Sequence, residues 1–400
     1  MTVPHDEFRQ RVREFLAANA VARTEPTLDL TEEMQVDGCR RFHSALGDAG
    51  LAGITYPVEY GGQGLDKSYQ EVFNEERARY QVPLVPAAIS HGMCLPVMND
   101  FGTPEQRERH QAAIIRCDEL WCQMFSEPGA GSDVASLSTR AVRDGDEWVI
   151  NGQKVWTSGA HYCDYGLVVV RTDPTQPKHR GLSMFIVDLS LPGVDVRPLR
   201  QPTGGSNFNE VYLTDVRVGA DCLVGGEGEG WNVAVAMLMY ERFAIGASGS
   251  EAMTGRVGTA RLIGEAQRRG RSNDPVIRDA LADLYIRERI QTFIGMRIRE
   301  AAEAGRSPGA EASIAKLNTA ILARQAADLG IAISGLQGQA WDSGDEDGSQ
   351  WANGVVSSPG MGIAGGTNEV QRNIIGERVL GLPKEPDPYK GQPWEAVPRS

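Results

Sequence analysis

Three short stretches of the chain carry residues that could do chemistry. In "MLMYERFAIG" (237–246) Glu241 stands in a strongly apolar helical run. Burying a lone carboxylate as an ion costs several kcal/mol, so its place there asks for a reason. One reason is general-base work, since an apolar surrounding raises a carboxyl pKa toward neutrality. The bland reason is a solvent-facing side or an ion pair. Arg242 is adjacent, and adjacent residues do not face each other on a helix. In "SEPGAGSD" (126–133) Gly129 and Gly131 leave room for close backbone approach. Ser126 and Ser132 add hydroxyls and amides. In "PGMGIAGGTNEVQRNI" (359–374) the segment Gly360–Gly365 satisfies G-x-G-x-x-G, the dinucleotide-binding pattern.

The elements that must position these residues follow the order helix, sheet, helix. Residues 1–120 read mostly as helix. Phe8, Val12, Phe15 and Leu16 share one face, and Thr103 with Pro104 marks a capped start. From 121 to 224 short β-prone runs follow one another without helices between them, which predicts an antiparallel, barrel-like sheet. In "EWVINGQKVWTS" (147–158) Asn151-Gly152 predicts a hairpin turn. After "GGEGEG" (225–230) long helical patterns return, predicting a C-terminal helical bundle over 225–385. The Pro-rich tail 386–400 is expected to be extended or loosely ordered. The fold class is therefore α+β. A dinucleotide fold needs a strand before its glycines and a parallel strand after the following helix. Neither fits here, so the G-x-G-x-x-G match is read as chance in a chain with 46 glycines.

The bulk properties exclude several classes. Four hundred residues, 41% of them hydrophobic, support more than one domain. A net charge of −13 argues against nucleic acid and anionic membrane as partners. The run "VAVAMLM" is too short to span a bilayer, and the N-terminus lacks a secretory h-region. Six cysteines without a C-x-x-C pair predict a reducing, cytoplasmic setting. The six histidines show no H-x-x-x-H pair and no Cys/His clustering, so no metal is expected. The acidic loop 342–350 reads as a solvated surface.

Five segments in order resemble the acyl-CoA dehydrogenase family. They are "PVEYGGQG" (57–64), "FGTPEQRERH" (101–110), "SEPGAGSDVAS" (126–136), "NGQKVWTSGA" (151–160) and "GGTNEVQRNIIGERVLGLP" (365–383). The resemblance covers nearly the whole chain. It implies a helical domain, a β-barrel-like domain and a helical bundle. It also implies FAD as cofactor, an acyl-CoA thioester as substrate and an electron-transfer flavoprotein as acceptor. Such chemistry needs a carboxylate to take the α-proton, a flavin to accept a hydride from Cβ, and donors for the thioester oxygen. By resemblance Gln123, Phe125, Ser126, Gly131 and Ser132 line the flavin ring, with Ser132 also near the substrate. Trp156, Thr157 and Ser158 match the family's W-x-T/S element, while Thr367 and Glu369 match positions that contact the nucleotide portion. Locally, Thr367 and Glu369 also read as a helix cap and a first-turn acid, and both roles are compatible.

Many members carry their base where this chain has Gly365. A subset, with isovaleryl-CoA dehydrogenase-like and heteromeric sterol side-chain members, places it on an earlier helix in a motif like that around Glu241. The resemblance thus assigns the base to Glu241, sets Arg242 beside the thioester, and leaves Gly365 a backbone N–H for the thioester carbonyl. Some positions depart from the pattern. The subunit-crossing arginine segment appears as "RRGRSNDPVIRDA" with Arg269 as counterpart, a Gly-Gly element becomes Leu336-Gln337-Gly338, and an Asp that often binds CoA is Met239. A homotetramer or an α2β2 assembly with a homologous subunit is expected. Rival readings are a non-catalytic or half-site partner subunit, and an oxidase or flavin monooxygenase on the same fold.

Overall fold

The computed structural model describes residues 4–25, 30–248, 258–304, 311–340 and 346–398. The chain divides into two units, one of residues 1–199, 206–237 and 389–400, the other of residues 200–205 and 238–388.

The first unit opens with α1 (His5–Asn19), whose Phe8, Val12, Phe15 and Leu16 are all buried, as their spacing predicts. After β1 (Val21–Ala22) come α2 (Glu32–Asp48), capped by Thr31, and α3 (Lys67–Arg77), capped by Asp66. β2 (Tyr80–Gln81) pairs with β1. α4 (Leu95–Phe101) and α5 (Pro104–Arg116) complete the helical part. At α5 Thr103 and Gln106 form a full capping box with Pro104 in the first turn.

One buried carboxylate ties α1 to α3. Glu76 accepts from Arg9 at 2.7 Å and Arg13 at 3.0 Å, and Arg79 lies 3.1 Å away. The Arg13 hydrogen bond, helped by Arg9 and Arg79 and opposed by burial, holds its pKa down to about 2 from 4.5. A depressed folded pKa gives stability that is present above about pH 4.5 and lost as pH falls toward about 2. The shift sets an upper bound of about 3 kcal/mol, less after screening because Arg13 and Arg79 face solvent. Glu76→Gln is expected to flatten the pH dependence of urea stability between those values. An unchanged slope would assign the acid sensitivity elsewhere.

The sheet that follows has eight strands. β3 (Trp121–Met124), β4 (Arg140–Asp144), β5 (Glu147–Ser158), β6 (Tyr165–Arg171), β7 (Leu182–Asp188), β8 (Val194–Leu199), β9 (Phe208–Gly219) and β10 (Leu223–Val224) appear in chain order. Their order in space is β10-β7-β6-β4-β5-β9-β8, with β3 alongside β6. Most pairings are antiparallel, while β3 and β4 meet β6 in parallel. Inward residues such as Met124, Trp148, Ile150, Phe185, Val211 and Val216 form one core.

Asn151-Gly152 is not the predicted turn. β5 runs straight through it, and the register against β9 slips between Ile150 and Gly152. The Asn151 side chain donates to Asp215 at 3.0 Å and accepts from the Asp215 N–H at 2.9 Å, which fills the gap a bulge leaves. A Cβ on Gly152 would collide with Thr139. Glycine is needed there for close approach between strands rather than for a hairpin. The reversal lies at Gly145, between β4 and β5.

The tail is anchored to this unit. Trp394 is buried, its backbone N–H reaches Gln176 O at 2.9 Å, and the Arg171 guanidinium sits 4.3 Å from its ring centroid. A single aromatic side chain supplies an anchor that a Pro-rich composition does not reveal.

α6 (Gly230–Ser248) belongs to the first unit through Met237 and to the second from Leu238. The second unit is helical, with α7 (Thr259–Arg268), α8 (Pro275–Glu303), α9 (Glu311–Ser334), α10 (Glu346–Met361) and α11 (Asn368–Arg378). Its core includes Leu262, Leu284, Leu329, Ile333 and Trp351. The G-x-G-x-x-G stretch joins α10 to α11, so a helix enters it where a nucleotide fold needs a strand. The start of the acidic loop, 342–345, lies outside the described residues. Among the described residues no helix is long and apolar enough to cross a membrane.

Candidate active site

In the first unit the loop after β3 and the second half of β5 are held together. Lys154, wholly buried in β5, donates to Phe125 O at 3.0 Å and to the Glu127 carboxylate at 2.9 Å. Glu127 also accepts from the N–H groups of Ser138 at 2.6 Å and Thr139 at 2.9 Å, and Val155 N–H reaches Ser126 O at 2.9 Å. Burial pushes Lys154 down to about 8 against the pull of Glu127. Burial alone would raise the Glu127 carboxyl, but Lys154 and the amide donors bring it below its usual value. The pair therefore stays ionic, and it clamps residues 125–127 to β5. Neither residue is singled out by the sequence reading, because only their long-range contact reveals them.

This clamp brings the predicted ring-lining residues to one place. Gln123 Nε2 and Thr157 Oγ1 are buried and meet no hydrogen-bond partner among the described residues. Such orphans call for a partner. Glu127 and Ala130 exchange two backbone bonds around a tight turn, and a Cβ on Gly129 or Gly131 would project into open space. Ser132 is exposed beyond the turn, while Phe125 is buried behind it. Trp156 has φ 60, and its indole is 61% exposed. A non-glycine residue held left-handed costs about 1–2 kcal/mol, and such strain gathers at functional sites. Trp156 falls in the register slip between Lys154 and Thr157, and pairing with β9 resumes at Thr157 opposite Asn209 and Ser158 opposite Phe208. An exposed aromatic face, two orphaned polar atoms and an unobstructed glycine turn fit a flat, hydrogen-bonding ring system such as a flavin.

In the second unit Gly365 (φ 67) and Gly366 (φ 91) form a left-handed turn before α11. It is fixed through its carbonyls. Gln371, fully buried, donates to Gly365 O at 2.8 Å, and Lys316 donates to Gly366 O at 2.6 Å. Among the described residues the Gly365 N–H meets no acceptor. Thr367 caps α11 by accepting from Val370 N–H at 3.2 Å, and Glu369 sits exposed in its first turn. Glu241 on α6 is half-buried. Lys316 ties it to the turn electrostatically: burial lowers the Lys316 pKa, while Glu369 and Glu241 pull it back up. Lys316 and Gln371 were not legible as site residues, although a lysine in the run "EASIAKLNTAIL" is the same signal that singles out Glu241. The Arg242 side chain lies outside the described residues. Met239 is 44% exposed. Arg269 bonds both Glu265 and Gln337, so two segments expected from the resemblance to cross between subunits contact each other within this chain.

The acyl-CoA dehydrogenase N-terminal, middle and C-terminal domains match residues 2–118, 122–216 and 228–380. The chain belongs to the acyl-CoA dehydrogenase family. It is 38% identical over 384 residues to acyl-CoA dehydrogenase IpdE1 of Mycobacterium tuberculosis, covering 95% of this chain and 98% of that one. The structure of the Tcur3481-Tcur3483 steroid ACAD superposes with a TM-score of 0.79 at 29% identity, covering 96% of this chain and 99% of that one. The ChsE4-ChsE5 complex from Mycobacterium tuberculosis gives a TM-score of 0.73 at 29% identity, with the same coverage. The helical–sheet–helical α+β architecture and the resemblance to this family, sterol side-chain members included, are thereby established for the chain. The family is one of flavoproteins and its members are oxidoreductases acting on acyl-CoA.

Proposed function

We propose that this acyl-CoA dehydrogenase binds FAD through the loop 123–132 and residues 156–158, and uses Glu241 as the base that removes the α-proton. The observation that carries the base assignment is a half-buried Glu241 within electrostatic reach of Lys316, in the same unit as a Gly365 that has no carboxylate. FAD, when bound, supplies the acceptor for the β-hydride. Gln123 and Thr157 give it polar partners, the Gly129–Gly131 turn lets the backbone approach, and the Trp156 indole covers a face. Thr367 and Glu369 serve the nucleotide portion. Ser132 and Arg242 are assigned to the acyl-CoA substrate. The Gly365 N–H, which meets no acceptor among the described residues, takes the thioester oxygen as negative charge develops. Lys316 keeps the turn in that conformation through its bond to Gly366 O.

The relatives named for steroid acyl-CoA dehydrogenation and the mutual Arg269–Gln337 contact favour an α2β2 assembly with a homologous subunit over a homotetramer. Electrons pass on to an electron-transfer flavoprotein. Two measurements test the reading. The denatured extract of the purified protein, expressed alone or with a neighbour-encoded homologue, is expected to contain FAD. Anaerobic addition of a steroid or fatty acyl-CoA is expected to bleach the yellow band. A colourless preparation under both expression conditions, or NAD in the extract, ends the proposal.

A further inference from the structure

The helical part of the first unit holds a cluster of side chains with no part in that chemistry. Cys39 and His43 stand one turn apart on α2 and share a face. Cys117 ends α5 in the left-handed region, φ 57. The ligating atoms of Cys39, His43 and Cys117 all lie within 4.8 Å of one another, and all three residues are buried. His91 completes the wall: its Nε2 lies 2.8 Å from Ile114 O and 3.4 Å from Cys117 Sγ, and its ring meets His43 edge-on at 4.6 Å.

Packing alone does not account for the arrangement. His43 Nε2 is buried and meets no hydrogen-bond partner among the described residues, and a buried imidazole nitrogen left so is costly. A ring nitrogen of His43 lies within 4.8 Å of the sulfurs of both Cys39 and Cys117. We propose that Cys39, His43 and Cys117 bind one zinc ion. Two thiolates and an imidazole suit a borderline-soft cation without geometric preference. At ordinary zinc bond lengths tetrahedral ligand atoms stand about 3.5–3.8 Å apart, so a spread within 4.8 Å closes by small side-chain movements. Binding converts two thiols to thiolates and releases two protons. His91, whose Nε2–H donates to Ile114 O, stands 3.4 Å from the Cys117 sulfur as a polar neighbour, and water completes the coordination. A surface groove lined by Arg40, Arg41, Ser44, Asp48 and Cys117 gives the ion its way in. The ion would pin α2 to the end of α5, a structural role separate from dehydrogenation.

The test is titration of the reduced, chelator-treated full-length protein with Co2+ and then Zn2+. The expected result is uptake of one Co2+ per chain with a thiolate-to-cobalt charge-transfer band, displaced by one Zn2+. Cys39→Ser and Cys117→Ser should each weaken uptake at least about tenfold. Zinc should also slow alkylation of Cys39 and Cys117 in the wild-type protein while leaving Cys222 unaffected, a readout that stands even where the serine variants fold poorly. Absence of the charge-transfer band overturns the proposal. So does equal alkylation of Cys39 and Cys117 with and without zinc, or a Cys39–Cys117 disulfide that forms as readily in its presence.

Discussion

Glu241→Gln is expected to bind flavin as the parent does and to bleach with acyl-CoA on the order of 10²–10⁴-fold more slowly. The amide keeps the shape of the side chain but cannot accept the α-proton. The rate loss should therefore appear in the anaerobic bleaching step while the oxidised spectrum stays unchanged. Gly365→Glu in that background returns a carboxylate to the position used by many relatives, and part of the lost rate should come back. Recovery will be incomplete. Gly365 has φ 67, where an L side chain costs about 1–2 kcal/mol, and the carbonyl bonds from Gln371 and Lys316 resist relaxation of the turn. Bleaching by Glu241→Gln at the parental rate would make Glu241 structural and place the base elsewhere.

Lys154→Met is expected to lower unfolding stability by about 3–5 kcal/mol, the usual cost of stranding one partner of a buried ion pair. Glu127 would keep the Ser138 and Thr139 amides but lose its cation, and Phe125 O would lose its donor. Residues 125–127 would then come loose from β5, so flavin content should fall together with stability. Adding Glu127→Gln removes the stranded charge, and the double variant should be more stable than Lys154→Met alone. Urea unfolding of the first cooperative transition, with the bound flavin counted, gives both readouts. A Lys154→Met protein within about 1 kcal/mol of the parent would show that the clamp does not hold the loop.

Much of this protein is legible in its sequence because the signals are local. Apolar spacing determines α1, the Thr103 box starts α5, and the β-prone runs become β5 to β9 in the expected order. Five family segments in register show the family, and the absence of a carboxylate at Gly365 beside its presence at Glu241 can be read by inspection. Tertiary structure decided what depends on distant partners. Asn151-Gly152 has the composition of a turn, yet Thr139 and Asp215 draw it into a bulge. Trp394 reads as tail until Arg171 and Gln176 receive it. Lys154 and Glu127 are 27 residues apart, and Lys316 and Gly366 are 50 apart, so no spacing rule joins them. Cys39 and His43 carry a helical i, i+4 spacing, but Cys117 meets them only when α5 folds back against α2. Periodicity along a chain reports which face is buried; which charges and sulfurs are buried together depends on chain crossings that periodicity does not encode.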